Sequence, residues 1–137
     1  MNYRACFLNH FLLILAMLAG AFFATLYGVP QAIFAADQSY MTSAIVALVC
    51  VSVIAIGRAA WSGDARGVEF GHFAVRISVL LGLVGTAVGL SLQARALVGG
   101  AAAFGPLATS LFSTMTGAGA AILIEVMTFN LERGARS

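Results

Sequence analysis

Four long apolar runs leave this chain few ways to fold in water. Only 9% of its 137 residues are charged, against about a quarter in an ordinary soluble domain, so too little polar surface exists to cover a globule. A helix of about 20 apolar residues crosses the hydrocarbon core of a bilayer. We therefore predict an all-α integral membrane protein, a single domain over 1–137 with four transmembrane helices, at approximately residues 7–28, 41–56, 77–98 and 107–129.

The first run admits a second interpretation. It follows Arg4, as the apolar core of a secretory signal peptide follows a basic residue. The run over 7–28 is longer than a typical signal core, which favours an uncleaved membrane helix.

The segments between the runs are predicted from their turn residues and polarity. Residues 29–40 contain Pro30 and a polar stretch and are predicted to be a loop, and 99–105 a tight turn before Pro106, which suits the first turn of a helix. Residues 57–76 are the most polar part of the chain. We predict a cytoplasmic loop there, with a short interfacial helix over 68–73 as an option.

The arginines predict the orientation. If there are four spans, one side of the membrane receives Arg4, Arg58, Arg66, Arg76, Arg133 and Arg136. The segments 29–40 and 99–105 contain no basic residue. By the positive-inside rule both termini are predicted to be cytoplasmic. Arg95 is the exception near the outer end of the third span, where its side chain can snorkel.

Charge and residue types exclude several classes of function. The net charge is only +2 and there is no lysine, so we expect no nucleic-acid partner. No nucleophile–base pair or metal-ligand spacing is present, so we expect neither an enzyme nor a metal site. His10 and His72 have no ligand residues near them in the sequence and are interpreted as polar residues near the membrane boundary.

Small and polar residues share helix faces in the last two spans. At 100° per residue, one stripe of the third span contains Ser78, Gly82, Gly85, Thr86, Gly89 and Gln93. One face of the fourth contains Ser110, Thr114, Gly117, Ala121, Glu125 and Thr128. Such stripes are typical of tightly packed membrane helices, and the same residues can face a pore.

Glu125 is the one carboxylate within a predicted span. An acid inside the membrane is costly and is a functional candidate for that reason. Two interpretations stay open: an ion pair with Arg58 or Arg76 at the inner boundary, or a group on an ion path.

Two segments resemble a known family. GLVGTAVGL, residues 82–90, resembles the GLLGTVxGL segment of the MotA/TolQ/ExbB ion-channel family. PLATSLFSTMTGAGAAILIEVMTFN, residues 106–130, resembles the final transmembrane helix of that family. Four spans with this pair last look like the MotA arrangement.

The resemblance implies an ion-driven rotary motor subunit in a bacterial inner membrane. Family members form a homopentamer whose inner helix pair, here 77–98 and 107–129, lines a ring around a dimer of a MotB/ExbD/TolR-like single-span protein with a transmembrane aspartate. The transported ion is H⁺ or Na⁺, and no other cofactor is implied. By the motif, Thr86 and Thr114 lie on the ion path; we add Ser110 and Glu125 as candidates. The packing or pore face consists of Gly82, Gly85, Gly89, Gly117 and Ala121.

One departure from the family limits the expected load. MotA has a large charged cytoplasmic domain, whereas here the corresponding segment, 57–76, is short. We therefore expect a short MotA-like member that drives something other than a flagellar rotor. A holin-like pore former or a passive membrane scaffold is the alternative.

Overall fold

The computed structural model describes residues 3–36, 40–64, 66–99 and 104–136, which are helical except for short turns and contain no strand. Within these residues, five helices follow one another: α1 (Tyr3–Leu26), α2 (Val29–Ala36), α3 (Met41–Ser62), α4 (Arg66–Val98) and α5 (Phe104–Arg136). The predicted all-α class is confirmed for these residues.

In the part of the chain that the structure describes, four helical segments are long and apolar enough to cross a membrane, in agreement with the prediction of four spans. They are Phe7–Leu26, Met41–Ser62, Arg66–Val98 and Gly105–Gly134. The last two helices, with 33 residues each, are longer than the 20 residues or so that a bilayer requires. These two helices therefore either extend beyond the hydrocarbon core at their ends or cross it at a tilt.

The prediction of a loop over 57–76 is wrong. Helix α3 continues to Ser62, and α4 begins at Arg66. The break is a turn at Gly63, whose φ of 70° suits glycine, and at Asp64, whose Oδ1 accepts a hydrogen bond from the backbone N–H of Arg66 at 2.9 Å. The polar residues misled the prediction because most of them are exposed side chains of α3 and α4, on either side of this turn.

The loop predicted over 29–40 also contains a helix. Gly28 makes the turn after α1 with a φ of 70°, and Pro30 occupies the first turn of α2. The predicted turn at 99–105 lies mostly outside the described residues. Helix α5 begins at Phe104, so Pro106 stands in its first turn as expected.

The long helices alternate in direction. The start of α1 meets the end of α3 where Phe7 packs edge-on against Trp61, with ring centroids 5.1 Å apart. The start of α4 meets the end of α5, since His72 bonds Glu132. The α3–α4 turn therefore lies at the same end of the bundle as the beginning of α1 and the end of α5. We call this end the arginine end, because Arg58, Arg66 and Arg133 lie there.

Helices α4 and α5 form the most extensive contact of the bundle. A Cβ on Gly82 would stand 3.3 Å from the Gly117 Cα, and a Cβ on Gly117 would stand 2.8 Å from the Ser78 carbonyl oxygen. The two backbones therefore approach as closely as small residues allow, the packing mode of small-xxx-small motifs. The contact extends towards the arginine end through Gly71, which faces Thr128.

Apolar residues are buried chiefly near the arginine end, while many larger ones face outward. The buried cluster contains Ile56, Ala59, Ala60, Ala74, Ile124, Met127 and Leu131. Leu18, Phe22 and Phe23 of α1 are more than half exposed. An outer surface of this kind suits lipid or another protein chain and does not suit water.

Candidate functional site

Three hydroxyl side chains from α4 and α5 meet in the half of the helix pair that lies away from the arginine end. The Thr86 and Thr114 hydroxyls share a hydrogen bond in which either can be the donor. Ser110 lies one turn before Thr114, and its Oγ donates to the Thr86 carbonyl oxygen at 3.3 Å and to the Pro106 carbonyl oxygen at 3.2 Å. Candidate ion-path residues from the two segments 82–90 and 106–130 are therefore in contact.

The two threonines have alternative hydrogen-bond acceptors. Thr114 Oγ1 lies 2.9 Å from the Ser110 carbonyl oxygen, and Thr86 Oγ1 lies 2.9 Å from the Gly82 carbonyl oxygen. Whichever hydroxyl donates to the other, the second still has a carbonyl to receive its own hydrogen. The pair can therefore reverse its donor direction without leaving a hydrogen unpaired, which suits a proton relay or the replacement of part of a cation's hydration shell.

Thr86, Thr114 and Ser110, which we call the hydroxyl cluster, lie at the edge of the contact between α4 and α5. Ser110 is 4% exposed, Thr86 is partly buried and Thr114 is exposed. Gly85 and Gly89 make this approach possible: a Cβ on Gly85 would stand 2.5 Å from the Ser113 Cβ, and one on Gly89 would stand 2.8 Å from the Ser110 backbone nitrogen. The predicted glycine face, with Gly82 and Gly117, is thus buried between two helices of one chain. Thr114 lies at the exposed edge of this face.

Glu125 is not part of the hydroxyl cluster. It lies about 16 Å further along α5 than Thr114, at 1.5 Å per residue. Its Oε2 is 3.6 Å from His72 Nδ1, and the opposite ring nitrogen of His72 is 2.8 Å from Glu132 Oε1. The alternative of an ion pair with Arg58 or Arg76 is wrong within the described residues. The partner of Glu125 is His72, a residue for which the sequence indicated no partner.

A histidine between two carboxylates connects α4 to α5 near the arginine end. His72 and Glu125 keep 45% and 51% of their side chains exposed, and Glu132 keeps 25%. The described residues contain no group of three His, Cys, Asp or Glu side chains that could hold a metal ion. The arrangement is an interhelical polar contact in which His72 of α4 joins two carboxylates of α5.

We expect Glu132, the carboxylate closer to His72, to stabilise the packing of α4 against α5 more than Glu125 does. In a double-mutant cycle, His72→Gln and Glu132→Gln should show a coupling free energy of about 1 kcal/mol, within the range of interhelical polar contacts in membrane proteins. The His72–Glu125 pair, at 3.6 Å, should give a smaller value. Unfolding in mixed micelles measures both, and a larger coupling to Glu125 would contradict the geometry.

Sequence reasoning also missed a polar contact between the first and last helices. Asn9 Nδ2 donates to Asn130 Oδ1 at 3.3 Å and so connects α1 to α5. A hydrophilic residue one turn into an apolar run was the available signal, but nothing in the sequence named its partner. Ala121, the last of the predicted small residues, is buried at 7% exposure on α5.

The fold and these contacts fit a multi-pass helical membrane protein with a hydroxyl cluster on its last two helices. In comparisons with known proteins, the chain matches no family model, no curated protein and no solved structure.

Proposed function

We propose that this chain is the pore-ring subunit of an ion-driven rotary membrane motor. Five copies surround a dimer of a single-span partner that carries a transmembrane aspartate. The inner helices are α4 and α5, with both termini in the cytoplasm of a bacterium. The flow of H⁺ or Na⁺ past Thr86 and Thr114 moves the partner against the ring. This proposal rests on the resemblance of 82–90 and 106–130 to the MotA/TolQ/ExbB family.

One observation supports it most: the hydroxyl cluster of Thr86, Thr114 and Ser110. These residues come from both segments that carry the resemblance, and the helix pair brings their hydroxyls together. Uncharged hydroxyls can pass a cation or a proton without trapping it as a fixed charge would. Thr114 is exposed on the chain, so a partner helix can approach it.

Glu125 and His72 form a second polar site of the same helix pair, nearer the arginine end. Their contact leaves about half of each side chain exposed, and exposed polar groups within an apolar span require water or protein around them. In the proposed motor they lie on the exit side of the path, where an ion passes from the hydroxyl cluster to the cytoplasm.

Ion flux measured with and without the partner tests the function. Vesicles holding this chain together with the product of a neighbouring reading frame should take up H⁺ or Na⁺ down an imposed gradient. Vesicles holding this chain alone should take up little. Replacing the partner's transmembrane aspartate by asparagine should abolish the uptake. Equal leakage from this chain alone, unselective for small solutes, would instead establish the holin-like pore.

A further inference from the structure

A groove opens between α1 and α3 at the arginine end, away from the hydroxyl cluster. Its volume is about 520 Å³, within the range of about 300–1,000 Å³ that small-molecule sites occupy. The inner part is apolar, with Phe11 and Ile14 on one side and Ile54 on the other. Phe11 and Ile54 are 53% and 63% exposed, so the groove is open on the outer surface of the helix bundle.

The end of the groove nearer the α3–α4 turn is lined by a cation and an indole. Arg58 and Trp61 line it one turn apart on α3, and Trp61 is 74% exposed. The ion pairs among the described residues both belong to His72, so the Arg58 guanidinium has no carboxylate partner there. Arginine and tryptophan are the side chains that meet lipid headgroups at a membrane boundary.

His10 adds a buried polar group to the groove lining. It is 2% exposed, and its Nε2 donates to the Val53 carbonyl oxygen at 3.2 Å. Its Nδ1 has no hydrogen-bond partner among the described residues. The ring fits because Gly57 lacks a side chain: a Cβ there would stand 3.0 Å from His10 Nε2. An unpaired buried nitrogen costs free energy, and His10 is part of the groove lining.

We propose that this groove binds an anionic phospholipid. The phosphate contacts Arg58, the glycerol region lies beside Trp61 and His10, and one acyl chain follows the wall of Phe11, Ile14 and Ile54. The order of the lining, a cation and an indole at the boundary followed by apolar residues, matches the order of groups in such a lipid. Among the described residues the lining contains no Asp or Glu, so none of these side chains repels the phosphate. This site does not depend on the proposed motor.

Trp61 is the one tryptophan of the chain, so its fluorescence can report lipid binding at the groove. The purified chain is reconstituted in phosphatidylcholine vesicles that contain a small fraction of a brominated phospholipid, either anionic or zwitterionic, and quenching of Trp61 fluorescence is measured. We expect the anionic lipid to associate about fivefold more strongly, the equivalent of about 1 kcal/mol for one basic residue at a membrane.

Three variants separate a site from general surface charge. Arg58→Gln should reduce the preference to near unity, while Arg58→Lys should keep most of it. Arg66→Gln is the matched control, because Arg66 is exposed at the same end but does not line the groove. An equal loss in Arg66→Gln, or no preference in the unaltered chain, would overturn the proposal. Weak quenching by both lipids would also overturn it, because a protein segment would then cover the groove.

Discussion

Gly117→Leu should separate α4 from α5 and prevent the chain from folding stably. A Cβ at this position would stand 2.8 Å from the Ser78 carbonyl oxygen and 2.9 Å from the Gly82 Cα. Both are backbone atoms, so a rotamer change cannot relieve the contact. Overpacking typically costs about 1–3 kcal/mol, and a leucine at a backbone-to-backbone contact should lie at or beyond the upper end of that range. Unfolding in mixed micelles, followed by far-UV circular dichroism, measures the loss.

Gly119 provides the matched control, two residues away on the same helix. A Cβ there would meet nothing within 4 Å. Gly119→Ala should therefore be neutral or stabilising, by up to about 1 kcal/mol from helix propensity, whereas Gly117→Ala should destabilise. Equal effects of the two alanine substitutions would show that α4 and α5 do not pack through Gly82 and Gly117.

Thr114→Val should reduce ion flux at least tenfold, equivalent to about 1.4 kcal/mol in the barrier, and leave the fold largely intact. Valine has a similar shape but removes the hydroxyl that bonds Thr86. The cost to packing should be small, since interhelical polar contacts in membranes average about 0.6 kcal/mol. The flux assay with the partner present measures the first effect, and unfolding in micelles measures the second.

Thr116→Val is the control for this prediction. Its hydroxyl donates to the Phe112 carbonyl oxygen of its own helix at 2.7 Å and is not part of the hydroxyl cluster. Flux should stay within about twofold of the unaltered chain, a barrier change of less than about 0.5 kcal/mol. If Thr116→Val reduced flux as much as Thr114→Val, the loss would reflect a general disturbance of α5, and the hydroxyl cluster would have no special role.

The parts of the fold that depend on local sequence could be predicted. Apolar runs of membrane-spanning length predicted the four long helices, since a single segment of about 20 residues can satisfy its backbone hydrogen bonds in lipid only as a helix. Thr86 and Thr114 were expected on one ion path from the family resemblance, and the structure brings their hydroxyls into contact. Pro106 predicted the beginning of α5 to within one turn.

The parts that depend on the rotation of one helix against another could not be predicted. His72 lies in a stretch read as a loop, and its pairing with Glu125 and Glu132 requires that α4 extend well before the apolar run begins. Gly71 gave a signal that was missed, because it continues the small-residue spacing of the third span towards Arg66. His10 bonds a carbonyl of α3, and no pattern in the sequence specifies such a contact.

Particle symmetry tests the central claim most directly. The chain, purified in detergent together with its co-produced single-span partner, is imaged by electron microscopy. The proposed motor predicts a five-fold ring of this chain, with Thr86 and Thr114 facing the centre and density for partner helices inside. A monomer, a dimer or rings of variable size would contradict the account and favour the scaffold or holin-like alternative.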